Sequence, residues 1–318
     1  MLTEFDLIQR YFTRSTPAAV LGVGDDAALV HVNEYMELAI STDMLVSGTH
    51  FFADADPFLL GHKALAVSLS DMAAMGAQPR WAILALSLPE VSEVWLEKFS
   101  AGFFSLANEH HVSLIGGDTT QGPLNICVTI LGEVPRGKAL RRSNAKAGDD
   151  IWVSGKLGDA ALVLAHLQEQ VRLTDTEFLS CASSLHQPTP RVTLGLALRN
   201  IAHSTIDISD GLLADLGHIL KASHVGAEIF FSSLPISSAM QSMHDKKLIQ
   251  QFVLAGGDDY ELCFTAPKSQ RTKIEKLSLR MNLPLTLIGQ ITEASGCVVH
   301  AKNGQPIYLE KSGYDHFR

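Results

Sequence analysis

The sequence predicts an α+β protein built from two α/β domains. The chain has 318 residues, and domains of roughly 150 residues are common, so the length favours two domains. Short apolar strands alternate with helical stretches in the first half, and this alternation restarts in the second half. A basic stretch from Arg136 to Lys146 separates the halves. We therefore predict one domain over residues 1–145 and another over residues 146–318.

The first domain has predicted strands and helices in alternation. The strands are the apolar runs Leu38–Ile40, Trp81–Leu88, Val112–Ile115 and Asn125–Leu131. One helix is predicted from about Pro57 to Met75, because Asp56 can cap its start and Gly76 can cap its end. A second helix is predicted from about Glu93 to His110, with Ser92 as its N-cap.

The second domain repeats this alternation. Its predicted strands are Ile151–Val153, Thr205–Ile208, Ala227–Phe231, Tyr260–Phe264, Leu285–Ile291 and Cys297–Ala301. Two helices are predicted to begin at Asp159 and Arg191, and a third helix is predicted from Gly211 to Ala222.

Composition and charge exclude several functional classes. Hydrophobic residues make up 46% and charged residues 19%, which excludes a disordered chain. Apolar runs such as Trp81–Leu86 are far shorter than the ~18 residues of a membrane span. The first residues lack a secretory pattern, and the four cysteines form no CxxC pair, so we expect a cytoplasmic protein with reduced thiols. The net charge of −9 disfavours nucleic-acid binding.

Acidic residues cluster beside glycines, mostly at or next to apolar strands. The clusters are Gly22–Asp26, Ser41–Asp43, Gly116–Thr120, Asp207–Gly211 and Gly256–Tyr260. A single Asp-Gly pair is typical of a turn, but glycine also lets a ligand approach the backbone closely. Carboxylate and hydroxyl oxygens are hard ligands that suit Mg²⁺, which also binds phosphate oxygens. Five such clusters favour a Mg²⁺-dependent enzyme that handles phosphate groups.

Two further features agree with a site for metal and phosphate. Asp71 lies in the apolar stripe of the first predicted helix, where a carboxylate is costly unless it is paired, for example with Lys63, or metal-bound. The basic stretch Arg136–Lys146 could be a solvated linker or could supply an arginine that binds a phosphate. The segment Gly132–Ala139 has the spacing of a P-loop but lacks its Ser or Thr, and no dinucleotide-binding glycine motif is present.

At this point the sequence resembles the thiamine-monophosphate kinase family, which belongs to the superfamily of aminoimidazole ribonucleotide synthetase. The resemblance spans nearly the whole chain. The motifs that carry it are Phe5–Ile8, Gly24–Ala28, Ser41–Val46, Gly48–Phe51, Lys63–Val67, Leu69–Ala77, Gly116–Thr119, Asp207–Leu212, Gly256–Leu262 and Gly313–Phe317.

The resemblance implies a fold and a reaction. The fold is that of the aminoimidazole ribonucleotide synthetase type, in which the N-terminal sheets of two subunits pair into a barrel across a homodimer. The reaction transfers a phosphoryl group from ATP to thiamine monophosphate and gives thiamine diphosphate. The resemblance also implies that the enzyme uses several Mg²⁺ ions and that it has no nucleic-acid or membrane partner.

The resemblance also implies roles for individual residues. The implied metal ligands are Asp26, Ser41, Thr42, Asp43, Asp71, Asp118, Asp207 and Asp210. The implied ATP contacts are Gly117, Asp118, Arg142 and Ser209. The implied contacts to the thiamine phosphate are His50, Asp258 and Tyr314. Members of the family usually have Glu where this chain has Asp258, so the charge is kept but the reach is one methylene shorter.

Two alternatives to a thiamine-monophosphate kinase remain at this stage. Another ATP-using enzyme of the same superfamily, such as an aminoimidazole ribonucleotide synthetase, would share the ATP-side motifs. A non-catalytic nucleotide sensor would share the scaffold, although a sensor does not need every metal-type position to carry an oxygen ligand. The kinase needs no general base, because the acceptor phosphate has a second pKa of about 6 and is largely ionised at neutral pH.

Overall fold

The computed structural model describes residues 3–317 and divides into two compact units. The first unit comprises the residues up to Met72 together with Ala77–Gly137, and the second comprises Ala73–Gly76 and the chain from Lys138 onward. This division lies upstream of the boundary predicted at residue 145, which stays a prediction. Within residues 3–317, no helix has the length and apolar character needed to cross a bilayer.

The first unit contains three α-helices, a π-helical turn and a four-stranded sheet. In chain order, these are α1 (Glu4–Leu7), the π-turn (Ile8–Phe12), β1 (Met36–Val46), α2 (Pro57–Ala74), β2 (Gln78–Leu88), α3 (Glu93–Glu109), β3 (Ser113–Gln121) and β4 (Asn125–Pro135). The sheet order is β1-β4-β2-β3, with β4 antiparallel to both neighbours and β2 parallel to β3. β1 and β3 are therefore the two edges.

The two predicted helices of the first unit are confirmed, together with their caps. The Asp56 carboxylate accepts the backbone N–H groups of Phe58 and Leu59 at 2.9 and 3.2 Å. The Ser92 hydroxyl accepts the backbone N–H of Trp95 at 3.3 Å. These bonds satisfy donors that have no partner within the first turn of a helix.

Glycines allow α2 and α3 to cross at very short range. A Cβ atom on Gly61 of α2 would lie 2.1 Å from the Phe99 carbonyl of α3. A Cβ atom on Gly102 of α3 would lie 1.9 Å from the Phe58 carbonyl of α2. Phe99 and Phe103 are fully buried at this crossing, so the glycines determine how closely the two helices pack.

The second unit is larger and contains a seven-stranded mixed sheet. Its strands are β5 (Asp150–Ser154), β6 (Ser204–Asp207), β7 (Gly226–Phe230), β8 (Leu262–Ala266), β9 (Leu285–Thr292), β10 (Gly296–His300) and β11 (Pro306–Ile307). Its helices are α4 (Asp159–Leu167), α5 (Asp175–His186), α6 (Val192–Leu198), α7 (Leu212–Ser223), α8 (Ser238–Ser242), α9 (Lys246–Ala255) and α10 (Arg271–Met281). The sheet order is β11-β10-β7-β9-β5-β8-β6.

All six predicted strands of the second unit are present, with their ends shifted by at most two residues. Ile151 on β5 and Leu162 on α4 are fully buried in the same hydrophobic cluster. Helices α5, α8, α9 and α10 and the short strand β11 were not predicted. The two units, each with its own mixed sheet and helices, confirm the two-domain α+β fold. Among residues 3–317 neither sheet closes on itself, and the barrel across a homodimer stays a prediction.

Candidate active site

In the first unit, β1 and α2 bring three of the predicted metal ligands together. Alternate side chains of a strand point to the same face, so Ser41 and Asp43 both face α2. The Ser41 hydroxyl donates a hydrogen bond to Asp71 on α2. The Ser68 hydroxyl, one helical turn earlier, donates to Asp43 at 2.8 Å. The result is a pair of neighbouring carboxylates, each bonded to a hydroxyl group.

The environment of Asp43 disfavours its charged form. Burial is the main cause, and the nearby negative charge of Asp71 adds to it; together they raise the pKa of Asp43 to about 6. The hydrogen bond from Ser68 acts in the opposite direction but does not cancel the rise. A cation between the two carboxylates would remove this penalty, because an opposite charge favours the ionised form.

Other predicted ligands of the first unit do not join this pair. Thr42 points to the opposite face of β1, where its hydroxyl lies 2.8 Å from that of Thr129. Asp118 lies on the other edge strand, β3, with β4 and β2 between it and Asp43. Asp26 is exposed, and its backbone N–H donates to Asp25 at 3.0 Å. The metal roles predicted for Thr42, Asp118 and Asp26 stay predictions.

Gly117 on β3 occupies a position that a side chain could not share. A Cβ atom there would lie 1.8 Å from the Leu84 carbonyl, and the φ angle of 155° also favours glycine. The predicted ATP contact at Gly117 would therefore be made by its backbone.

His50 follows β1 and has a defined tautomer when it is neutral. The backbone N–H of Val46 donates to His50 Nδ1 at 3.0 Å. Because Nδ1 accepts, the proton of the neutral ring is on Nε2. His50 can therefore donate a hydrogen bond from Nε2, as contact with a phosphate oxygen requires.

In the second unit, a buried carboxylate fixes the loop between β6 and α7. Asp215 accepts the backbone N–H groups of Ser209, Asp210 and Gly211, each at 3.1 Å. Burial raises the pKa of Asp215 to about 7, against the lowering effect of these three donors. The predicted ligand Asp207 lies just before this loop, at the end of β6.

Two other segments meet this loop and bring predicted substrate contacts to it. The Asp258 backbone N–H donates to the Ser209 carbonyl at 2.8 Å. The Tyr314 backbone N–H donates to the Asp210 carbonyl at 2.9 Å. Burial raises the pKa of Asp210, His316 and His218 lower it, and Asp258 and Asp315 raise it further. Four predicted residues (Ser209, Asp210, Asp258 and Tyr314) are therefore neighbours.

A cavity of about 610 Å³ lies beside this group. Its lining includes Tyr314 and Gly257 as well as apolar side chains of α4 and α9, namely Leu164 and Phe252. The aromatic ring of Tyr314 is half exposed and packs edge-on against His316 at 5.0 Å. A flat cationic group could stack against such a ring.

Arg142 lies at the other end of α7. It begins a short 3₁₀ turn, Arg142–Asn144, and its carbonyl accepts the Ser223 hydroxyl at 2.8 Å. The same hydroxyl accepts the Ala145 backbone N–H at 3.1 Å, so Ser223 bridges both ends of the turn. Arg142 and the basic side chains of His218, Lys221 and His224 line an open depression, which suits an anionic ligand.

No complete metal cage is preformed in the part of the chain that the structure describes. Among residues 3–317, no three His, Cys, Asp or Glu side chains gather closely enough to hold an ion. The oxygen donors of Ser41, Asp43 and Asp71 nevertheless fit Mg²⁺, which commonly completes its shell with water and substrate phosphates. The placement of the Asp43 and Asp71 carboxylates at the contact of β1 with α2, each beside a hydroxyl group, supports this fit.

Sequence reasoning missed two residues that shape the second unit's site, Asp215 and Tyr260. Asp215 looks like an ordinary acidic residue in the first turn of a helix. Tyr260 was predicted to begin a strand, but the strand begins at Leu262, and the φ angle of Tyr260 is 48°. The Asp-rich motif before it gives no local signal of this turn.

Comparisons with known proteins agree with the two-domain fold. Residues 24–134 match the family model of the AIR synthase related protein, N-terminal domain, and residues 146–302 match that of the C-terminal domain. The thiamine-monophosphate kinase of Escherichia coli strain K12 is 48% identical over 318 residues, with 99% of this chain and 98% of that protein covered.

Two solved structures are also similar. The crystal structure of thiamine-monophosphate kinase from Stenotrophomonas maltophilia K279a has a TM-score of 0.85 and 50% identity, covering 92% of this chain and 93% of that chain. AaThiL complexed with AMPPCP and TMP has a TM-score of 0.79 and 31% identity, covering 98% of this chain and 96% of that chain.

Proposed function

This chain belongs to the AIR synthase related family and, within it, to the thiamine-monophosphate kinases, and on that premise we propose how it works. It transfers the γ-phosphoryl group of ATP to thiamine monophosphate and produces thiamine diphosphate and ADP. The observation that carries this function is the full-length similarity to thiamine-monophosphate kinases, one of them solved with an ATP analogue and TMP. The group formed by Ser209, Asp210, Asp258 and Tyr314 beside a cavity supports it.

The proposed reaction is a direct in-line transfer. The acceptor phosphate is largely ionised at neutral pH, so no side chain has to remove a proton from it. The task of the protein is to align two anionic groups and to screen their repulsion. Stereochemical analysis of the reaction with a chiral γ-phosphate should show inversion of configuration at phosphorus, and net retention would exclude a direct transfer.

We propose that Ser41, Asp43 and Asp71 are the main Mg²⁺ ligands of the first unit. Bound Mg²⁺ would supply the positive charge that offsets the phosphates. Asp26, Thr42, Asp118, Asp207 and Asp210 are further proposed ligands. Gly117, Asp118, Arg142 and Ser209 are proposed to contact ATP, and His50, Asp258 and Tyr314 to contact the thiamine phosphate.

We propose that the enzyme acts as a homodimer through β1, with the two N-terminal sheets forming a barrel. Leu38, Ile40 and Met44 alternate along this edge strand and are 37%, 60% and 57% exposed. A row of exposed apolar side chains on an edge strand is a surface that a second copy can cover.

The four cysteines are free thiols, which supports the proposed cytoplasmic location.

A chromatographic assay tests the function directly. The purified protein is incubated with ATP and thiamine monophosphate, with Mg²⁺ or with EDTA, and the thiamine species are separated. We expect thiamine diphosphate only when both substrates and Mg²⁺ are present. Tight binding of Mg-ATP without product would favour another enzyme of the superfamily or a nucleotide sensor.

A further inference from the structure

The loop Gly256–Glu261 has a backbone that is unusual for its residues. Asp258 and Tyr260 have φ angles of 68° and 48°, in the left-handed region. Aspartate enters this region fairly often, but a bulky tyrosine rarely does. A bulky residue keeps such a conformation only where the surrounding structure imposes it, and these positions are frequent at binding sites.

Two backbone hydrogen bonds and the buried carboxylate of Asp259 hold the loop in this conformation, and Glu261 fixes its end. The backbone N–H groups of Asp258 and Tyr260 donate to the carbonyls of Ser209 and Ile208, both at 2.8 Å. The carboxylate between them, on Asp259, is buried and accepts the Gly158 N–H with both oxygens at 3.0 Å. The loop is therefore held against the end of β6.

The residue that closes the loop, Glu261, is fixed by charged and polar partners. Its carboxylate forms an ion pair with Arg191, with the guanidinium Nε at 2.7 Å from one oxygen. The Ser154 hydroxyl donates to the same carboxylate. Asp259 and Glu261 thus act as buried anchors on either side of Tyr260.

The Tyr260 side chain turns back to Asp258. Tyr260 is 8% exposed, and its hydroxyl donates to Asp258 Oδ1 at 3.1 Å. This bond selects one direction for a short carboxylate that is only partly buried and lies near the negative charge of Asp210. Because the tyrosine hydroxyl is neutral, it orients the carboxylate without adding a positive charge. A positively charged partner would weaken the attraction of the carboxylate to a cationic ligand.

We infer that Tyr260 is a positioning residue whose hydroxyl holds the Asp258 carboxylate in the direction that recognises the cationic thiamine moiety. The inference rests on the proposed function and extends it. It assigns the recognition of positive charge to a two-residue unit in which the aspartate contacts the substrate and the tyrosine acts through the aspartate.

Steady-state kinetics of Tyr260→Phe test the inference, with Tyr11→Phe as the matched control. Tyr11 is also a buried tyrosine, 5% exposed, and its hydroxyl donates to a carboxylate, that of Glu93, at 3.4 Å in the first unit. We expect Tyr260→Phe to raise the KM for thiamine monophosphate about 3–10-fold, as the loss of one intramolecular hydrogen bond of ordinary strength implies. The kcat and the KM for ATP should stay within about twofold of wild type, and Tyr11→Phe should change none of the three constants.

A double-mutant cycle shows whether Tyr260 acts through Asp258. Asp258→Asn removes the charge that the hydroxyl positions, so adding Tyr260→Phe should then raise the KM by less than about twofold. The inference would be overturned if Tyr260→Phe raised the KM for thiamine monophosphate by the same factor with Asp258 as with Asn at position 258. It would also be overturned if Tyr260→Phe left this KM unchanged, or raised the KM values for thiamine monophosphate and ATP equally. If Tyr260→Phe does not fold, Tyr260→Asn replaces it, because asparagine accepts a positive φ and is too short to replace the hydroxyl.

The outcome also separates this inference from the proposed function. A wild-type chain that does not phosphorylate thiamine monophosphate overturns both. A wild-type chain that does so, with Tyr260→Phe unchanged in its KM, overturns only the role of Tyr260.

Discussion

The two units hold their acidic residues in opposite ways. In the first unit, Asp43 and Asp71 project from a strand and a helix, and a carboxylate there faces a second carboxylate. In the second unit, Asp215 and Asp259 face backbone N–H groups of loops. The difference shows that partly or fully buried aspartates of this chain are held either beside another carboxylate or by backbone donors. We propose that the first set keeps a negative charge available for a cation, whereas the second set holds loops in place.

The largest expected effect tests the purpose of the first set. Asp43→Asn removes a charge from the carboxylate pair but keeps the shape of the side chain. We expect kcat/KM to fall about 10²–10³-fold, because the proposed Mg²⁺ would lose one of its charged ligands. The melting temperature of the metal-free protein should stay the same or rise, since the repulsion between Asp43 and Asp71 is relieved.

The control for Asp43→Asn is Glu90→Gln, a change of an exposed acidic residue. It should leave both quantities unchanged. If Asp43→Asn destabilised the protein without a specific loss of activity, the first set would have a structural purpose and the comparison would fail.

The second expected effect tests the structural purpose of the second set. Asp215→Ala leaves three backbone N–H groups without their acceptor, so we expect the free energy of unfolding to fall by about 2–4 kcal/mol. Urea denaturation measures this loss. Asp245→Ala is the control, because Asp245 caps α9 through two backbone N–H groups at an exposed site, and its loss should cost only about 1 kcal/mol. Equal losses in the two variants would contradict the special position of Asp215.

The third expected effect concerns substrate recognition in the second unit. Tyr314→Leu removes an aromatic face and keeps an apolar side chain. Cation–π attraction of about 0.5–2 kcal/mol implies that the KM for thiamine monophosphate rises about 2–30-fold. The KM for ATP should not change. Parallel increases in both constants would instead indicate that the C-terminal segment has a folding role.

The smallest expected effect is a dependence of metal stabilisation on pH. The pKa of Asp43 is raised from 3.8 to about 6, so between these values the folded protein binds a proton that the unfolded chain has released. The contribution of Asp43 to stability therefore falls as the pH rises through this window. A bound cation reverses the balance, because it favours the ionised carboxylate.

Thermal unfolding with and without Mg²⁺ measures this dependence. We expect Mg²⁺ to raise the melting temperature about 2–4 °C more at about pH 7.5 than at about pH 5. In Asp43→Asn the difference should disappear. A difference that persisted in the variant would assign the metal effect to other residues.

Local signals predicted the regular elements of the first unit well. Asp56 and Ser92 are caps whose side chains need only their own turn of helix, so the sequence is sufficient to locate them. β1 is longer than the predicted Leu38–Ile40, because the polar Ser41–Asp43 interrupts its apolar pattern while pairing with β4 continues to Val46. Long-range pairing outweighs local preference there.

The missed elements divide into those with a local signal and those without one. Thr174 and Glu177 form a capping box at the start of α5, a pattern readable in the sequence. The left-handed turn at Asp258 and Tyr260 has no such pattern, because bonds to residues far away in the sequence hold it. Four of the predicted site residues of the second unit lie close together, namely Ser209, Asp210, Asp258 and Tyr314, but the side chains that support them were not foreseen.

The exposed face of β1 also has a consequence for how the protein behaves on dilution. If Leu38, Ile40 and Met44 are covered by a second copy, dissociation returns this apolar surface to water. By mass action, activity per chain should then decline below the dissociation constant of the dimer and recover on concentration. Stock solutions should therefore keep their specific activity better than assay-level dilutions stored for the same time.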